Sequence, residues 1–286
     1  MRVEICVESV NGVRIAEQVG ADRIELCGGL SDGGLTPSIG LLEHAIAATT
    51  KTQVHVLIRP RPGDFVYTRD EIELMVRDIA AARAAGADGV VVGALDGSGA
   101  VDPACAAFVA AAEHLDITFH RAIDVSASSQ RTLDQVIELG FTRVLTAGRQ
   151  RAVLDGAAVI KDLVGRAAGA LDVMACGGVR PSNAVAALDA TGVADLHAAM
   201  RTPVPGAAGS AALFAGAGVP QGFDRFDTDP AEAAELCRLV HSRRQALRNS
   251  PQSAPGRGAA RRRRRTRRMR PTRPCLLYKS PSPRDA

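Results

Sequence analysis

A strand-then-helix alternation repeats eight times before residue 247, and it constrains the fold more than any other feature of the chain. Short apolar runs read as strands over 2–7, 22–27, 53–59, 88–92, 116–121, 143–147, 172–176 and 194–198. Helical stretches fall between them at 10–19, 38–49, 69–85, 103–113, 129–139, 152–167 and 181–190, and a last one at 229–247 follows the final strand. Gly20, Gly86 and Gly192 stand between a helix and the next strand, where the chain commonly turns left-handed. Pro37, Pro103 and Pro181 sit near helix starts, where a missing N–H costs nothing. Asp102 and Ser129 are the expected helix caps. Eight such units predict an α/β fold of the TIM (β/α)8 barrel class, a single domain over 1–247. The rival, a doubly wound open sheet, more often has fewer strands and one glycine-rich loop near the N-terminus.

Several of these strands carry charge. A parallel strand covered by helices on its outer face is normally an apolar run, and a buried charge needs a partner. Side chains alternate between the two faces of a strand. Glu4, Cys6 and Glu8 therefore share one face, as do Arg23, Glu25 and Cys27, His55, Leu57 and Arg59, Thr118 and His120, and Asp195 and His197. With Val3, Ile5 and Val7 turned to the helices, the polar set points into the barrel. Glu4, Arg23 and Glu25 come early in their strands and fit a paired ionic filling. Cys27, Arg59, Arg61, His120 and His197 come at strand C-termini, where barrel sites are built.

Charge divides the chain in two. Residues 248–286 hold 13 of the 35 Lys and Arg and 1 of the 31 acids, a local net of +12. The remainder has 22 bases against 30 acids, a net of −8. The run Arg261–Arg265 has nothing apolar to fold around and is expected to be disordered. The ending Cys275–Ala286 resembles translated sequencing-adaptor sequence, and the arginine run fits frame-shifted or read-through GC-rich DNA, so 248–286 is expected to be foreign to the barrel. With an acidic body, nucleic-acid binding is expected of nothing but this tail. No stretch of eighteen apolar residues suggests a membrane span. The start of the chain enters a strand without the zones of a signal peptide, so a cytoplasmic location and free thiols are expected. The Gly-, Pro- and Ala-rich segment 202–228 is expected to form a lid over the mouth.

Two chemistries suit these residues. For acid–base work, His120 or His55 serves as base with Glu25 or Asp124 to orient it. Arg59 and Arg61 can clamp an anion, and the Gly177–Gly178 turn before a helix is a candidate phosphate cradle. Lys occurs only at 51, 161 and 279, outside the strands, which disfavours Schiff-base chemistry. The other chemistry is metal binding. Cys6 and Cys27 lie on neighbouring strands at similar depth, and a cysteine pair with a nearby histidine, such as His197, suits Cu(I) or zinc. A buried cysteine is also a small hydrophobe. Cys105 and Cys237 read as helix packing, and Cys176 can join the mouth.

The segments Ala21–Cys27, Gly33–Ser38, Ile58–Tyr67, Thr118–Asp124 and Arg143–Thr146 resemble the CutC family in order and spacing, and the similarity extends over about residues 1–247. The resemblance implies a cytoplasmic (β/α)8 barrel, usually an oligomer of identical subunits, named for copper homeostasis. It implies Cu(I) binding through cysteines, here Cys6 and Cys27, and no organic cofactor. It implies no particular reaction, so a barrel enzyme acting on a small anionic or phosphorylated metabolite stands as the alternative. Two places depart from the family pattern. The strand-eight motif reads Leu196-His197-Ala198-Ala199-Met200, without the usual hydroxyl, and Cys176 stands where a small residue is common.

Overall fold

The structure is a computed structural model in which residues 1–204 and 225–249 are described. Eight parallel strands close into a barrel in chain order: β1 (Arg2–Val7), β2 (Arg23–Leu26), β3 (Gln53–Leu57), β4 (Gly89–Val92), β5 (Asp116–Phe119), β6 (Arg143–Thr146), β7 (Asp172–Ala175) and β8 (Asp195–Ala198). β1 pairs with β8, Glu4 opposite His197, and this seam closes the barrel. The predicted α/β barrel is therefore the observed one, with each strand within two or three residues of its expected bounds.

Helices α1 (Val10–Gln18), α2 (Ile39–Ala48), α3 (Arg69–Ala85), α4 (Cys105–Ala112), a short α5 (Ala122–Val125), α6 (Ser129–Leu139), α7 (Ala157–Ala167) and α8 (Pro181–Thr191) surround the strands. A final helix, α9 (Pro230–Asn249), packs beside α8, α1 and β1. Its His241 and Arg244 bond to Asp22 at the start of the second βα unit, at 2.8 and 3.0 Å. Gly20, Gly86 and Gly192 all have positive φ, as their places at helix ends predicted. The cap of α6 is Ser128 rather than Ser129: its hydroxyl accepts from the Arg131 amide, while Ser129 is already helical and buried. Asp102 accepts from the Ala104 amide at 2.7 Å, just ahead of α4. α7 starts at Ala157, five residues later than expected, because 147–156 forms a loop packed on the turn after β7.

The hydrophobic core lies between the strands and the helices, where Val3, Ile5, Ile24, Val54, Val90 and Val144 meet Leu42, Ile79, Phe108 and Leu133. The barrel interior is different. Near the N-terminal ends of the strands it is ionic. Arg23 is fully buried between Glu4 and Asp195, and Asp195 also meets Arg2 at 2.7 Å and Arg143 at 3.5 Å. Toward the other end, Cys6, Cys27, Leu57 and Val91 form a small apolar layer.

The segment expected to be a lid is only partly described. β9 (Arg201–Val204) and β10 (Arg225–Thr228) form an antiparallel pair, and the intervening 205–224 lie outside the described residues. So does the tail from residue 250. Among the described residues no helix is long and apolar enough to cross a membrane.

Candidate functional site

The mouth at the C-terminal ends of the strands contains a cavity of about 390 Å³. Cys6, Glu25, Leu57, Arg59, His120, Asp124 and His197 line it, so strands β1, β2, β3 and β8 and the segment after β5 all contribute. Strand alternation turns Cys6, Glu25, Leu57 and His197 inward, above the ionic filling, while Arg59, His120 and Asp124 follow β3 and β5 into the mouth.

Cys6 Sγ and Cys27 Sγ are 3.6 Å apart, and Cys27 also points at the Val7 carbonyl. Cys6 Sγ, a Glu25 carboxylate oxygen and a His197 ring nitrogen all lie within 4.8 Å of one another. The Cys6 thiol is pushed well above the ordinary thiol range, first by its contact with Cys27, then by burial and by the charge of Glu25. Burial also raises Glu25, reinforced by Glu4 and opposed by His197.

His197 is oriented from below. Its Nδ1 is 2.7 Å from Glu4 Oε1. Burial alone would raise the Glu4 pKa, but the Arg23 charge, followed by His197, holds it far below the usual carboxylate range. An ionised carboxylate only accepts, so Nδ1 carries the proton. Nε2 is left facing the cavity, 3.9 Å from Glu25. Burial opposes the charged form of His197, yet Glu25 and Glu4 together raise its pKa. A carboxylate behind a histidine is the usual device for fixing the tautomer of a metal ligand. Parity identified Glu4 as an inward residue, but its hydrogen bond to His197 spans the seam where the barrel closes and leaves no sequence pattern.

Of the acid–base candidates, Glu25, His120 and Asp124 line the cavity. His120 Nδ1 accepts from the Ala122 amide at 3.3 Å, and the ring packs 4.7 Å from that of Phe65. Burial and then the Arg59 charge lower its pKa to about 3, so it is neutral, and Nε2 has no partner. Asp124 is saturated: it accepts from the Thr146 hydroxyl (2.6 Å), from the Ala147 and Arg149 amides, and from Arg121. His55 is fully enclosed below the mouth, with neither ring nitrogen hydrogen-bonded; burial, then Arg23 and Arg143, push its pKa well down.

The two arginines nominated as an anion clamp hold the protein itself. Arg59 donates to the carbonyls of Asp32, Gly34 and Gly63 at 2.9–3.1 Å, tying the loop after β2 to its own. Arg61 reaches Glu71 at 2.5 Å and Asp64 at 3.1 Å, away from the cavity. Gly177 and Gly178 instead line a second cavity of about 390 Å³, adjoining the first along Arg121, His197 and Ala199. Its cations are Arg121, Arg180 and Arg201, and Cys176 lies on its wall. Arg121 and Arg180 flank motifs already singled out in the sequence. Arg201 comes from β9, where no periodicity marks it.

The fold and the site define a closed (β/α)8 barrel with two thiols, an imidazole and a carboxylate gathered at its mouth. The chain belongs to the CutC family, whose family model matches residues 1–202. It is 46% identical over 199 residues to a CutC family protein of Agrobacterium fabrum, covering 69% of this chain and 78% of that one. It is 43% identical over 201 residues to the human copper homeostasis protein cutC homolog, covering 70% and 73%. Among solved structures it resembles the copper homeostasis protein CutC from Streptococcus agalactiae, with a TM-score of 0.66 and 33% identity over 69% of this chain and 98% of that one. The family match ends before β10 and α9.

Proposed function

We propose that this protein binds Cu(I) through Cys6 and Cys27, with His197 as a third donor, and acts in copper homeostasis in the cytoplasm. The observation that carries this reading is the 3.6 Å separation of the two sulfurs, with Cys6 on the wall of a cavity that His197 also lines. Metal–sulfur bonds are about 2.3 Å long in protein sites, so one ion can reach both sulfurs. Thiolate and imidazole are donors that favour Cu(I) over hard cations. Leu57, Val91 and the partly buried Leu30 surround the sulfurs and keep water from them. A reducing compartment keeps such a pair as thiols. The relatives named as copper homeostasis proteins point the same way.

X-ray absorption of the Cu(I)-loaded full chain tests the ligand set. The reading predicts two sulfur scatterers and one nitrogen, falling to one sulfur in Cys27→Ser. A spectrum unaffected by Cys27→Ser contradicts it.

A further inference from the structure

We propose that the arginine-lined cavity beside β7 and β8 binds the phosphate of a small phosphomonoester, whose organic part enters the adjoining cavity toward His120. This goes beyond the copper reading and does not rest on it. Arg121, Arg180 and Arg201 line the cavity together with Gly177 and Gly178. Each guanidinium is steadied by one carboxylate: Arg121 by Asp124 at 2.9 Å, Arg180 by Glu232 at 3.5 Å, and Arg201 by Glu8 at 3.4 Å. Arg121 and Arg180 also donate to the Gln150 and Val179 carbonyls, and Arg201 to the Ser31 hydroxyl. Each fork still keeps N–H groups beyond these, and the buried Nε of Arg201 has no hydrogen-bond partner.

The backbone supplies further donors. Gly177 and Gly178 have φ of +104° and +64°, and α8 begins three residues on. Among the described residues the amides of Gly177, Gly178 and Val179 donate no hydrogen bond, although Val179 is only 1% exposed. Consecutive free amides ahead of a helix N-terminus suit an anion. Three guanidinium forks and a run of amides match the several oxygens of a phosphate better than one carboxylate. The same cations repel a metal ion, so this site is chemically distinct from the thiol pair.

A second, independent observation lies in the adjoining cavity. His120 is 5% exposed and lines that cavity, and its Nε2 has no partner. Because Nδ1 accepts from Ala122, the neutral ring carries its proton on Nε2. A buried donor without an acceptor is costly, and a ligand hydroxyl or carbonyl relieves it. Each cavity is of metabolite size, which favours a small molecule over a polymer.

Calorimetric titration of the copper-free full chain tests this at constant ionic strength, with inorganic phosphate, glycerol 3-phosphate and glycerol as probes. Both phosphates are expected to bind saturably and glycerol not at all. Loss of one charge-assisted contact in Arg180→Gln or Arg201→Gln should weaken both by about tenfold or more, with the thermal midpoint of Arg180→Gln unchanged. Glycerol 3-phosphate should bind more tightly than phosphate, by a margin lost in His120→Phe. Binding that is absent, or equal in the wild type and both arginine variants, overturns the phosphate site, the latter result assigning phosphate to the arginines of 248–286. A margin that persists in His120→Phe overturns the role of His120.

Discussion

Glu4 and His197 are 193 positions apart in the chain and 2.7 Å apart in the barrel. Behind Glu4 stands Arg23, with no exposed surface and a second contact to Asp195. Removing one member of a buried ion pair strands the other, so Arg23→Met should cost about 3–5 kcal/mol of stability in urea titrations. A cost under about 1 kcal/mol would mean that Glu4 is held by other groups. His120 makes a separate prediction. Its folded pKa of about 3 lies below the ordinary 6.5 because the ring is buried beside Arg59. Between those values the unfolded chain binds a proton that the folded chain does not. Stability therefore falls as pH drops through that window, by up to about 1.4 kcal/mol per pH unit for this group. The stability–pH slope of His120→Gln should be shallower by that amount, and an unchanged slope contradicts a neutral buried imidazole.

At the scale of elements, the loops decide where the donors stand. The loop 147–156 folds back so tightly that a Cβ on Gly156 would lie 1.9 Å from the Ala147 carbonyl oxygen. The same loop touches Gly177, so it sets the position of the turn after β7. Gly156→Ala should then destabilise the protein by roughly 3 kcal/mol, since backbone on both sides must move, and thermal unfolding measures it. A midpoint equal to wild type would show that the loop yields freely. These loops also mark the limit of what the sequence discloses. Period-two alternation located Cys6, Glu25 and His197 on the inward face because strands obey it strictly, and it carried one residue past β2 and β5 to Cys27 and His120. Alternation also brought Arg59 to the cavity wall, but it discloses no partners: Arg59 and Arg61 follow β3 on a loop, and their N–H groups bond to backbone carbonyls and to Glu71. Phe226, which stacks on Arg201 at 4.3 Å, comes from β10, with no repeating pattern to betray it.

For the molecule as a whole, the eightfold rhythm was legible because each unit carries the same alternation of short apolar run and amphipathic helix. Closure was legible only through the count of strands, and the Glu4–His197 contact depends on closure. The barrel thus joins an ionic lower filling to a thiol layer above it, through His197. On the proposed Cu(I) reading, binding has a definite pH dependence. The Cys6 thiol, held protonated by Cys27 and by burial, must release its proton to become a ligand. Apparent affinity should therefore rise with pH, by up to about tenfold per unit for each proton released, and a flat profile contradicts a thiolate ligand. The most direct test of the central claim is an anaerobic Cu(I) competition titration on the full chain, wild type beside Cys6→Ser/Cys27→Ser. The account predicts tight binding of one ion per chain that the double substitution abolishes and Arg180→Gln leaves intact. Weak binding, or binding unchanged by loss of both sulfurs, contradicts it.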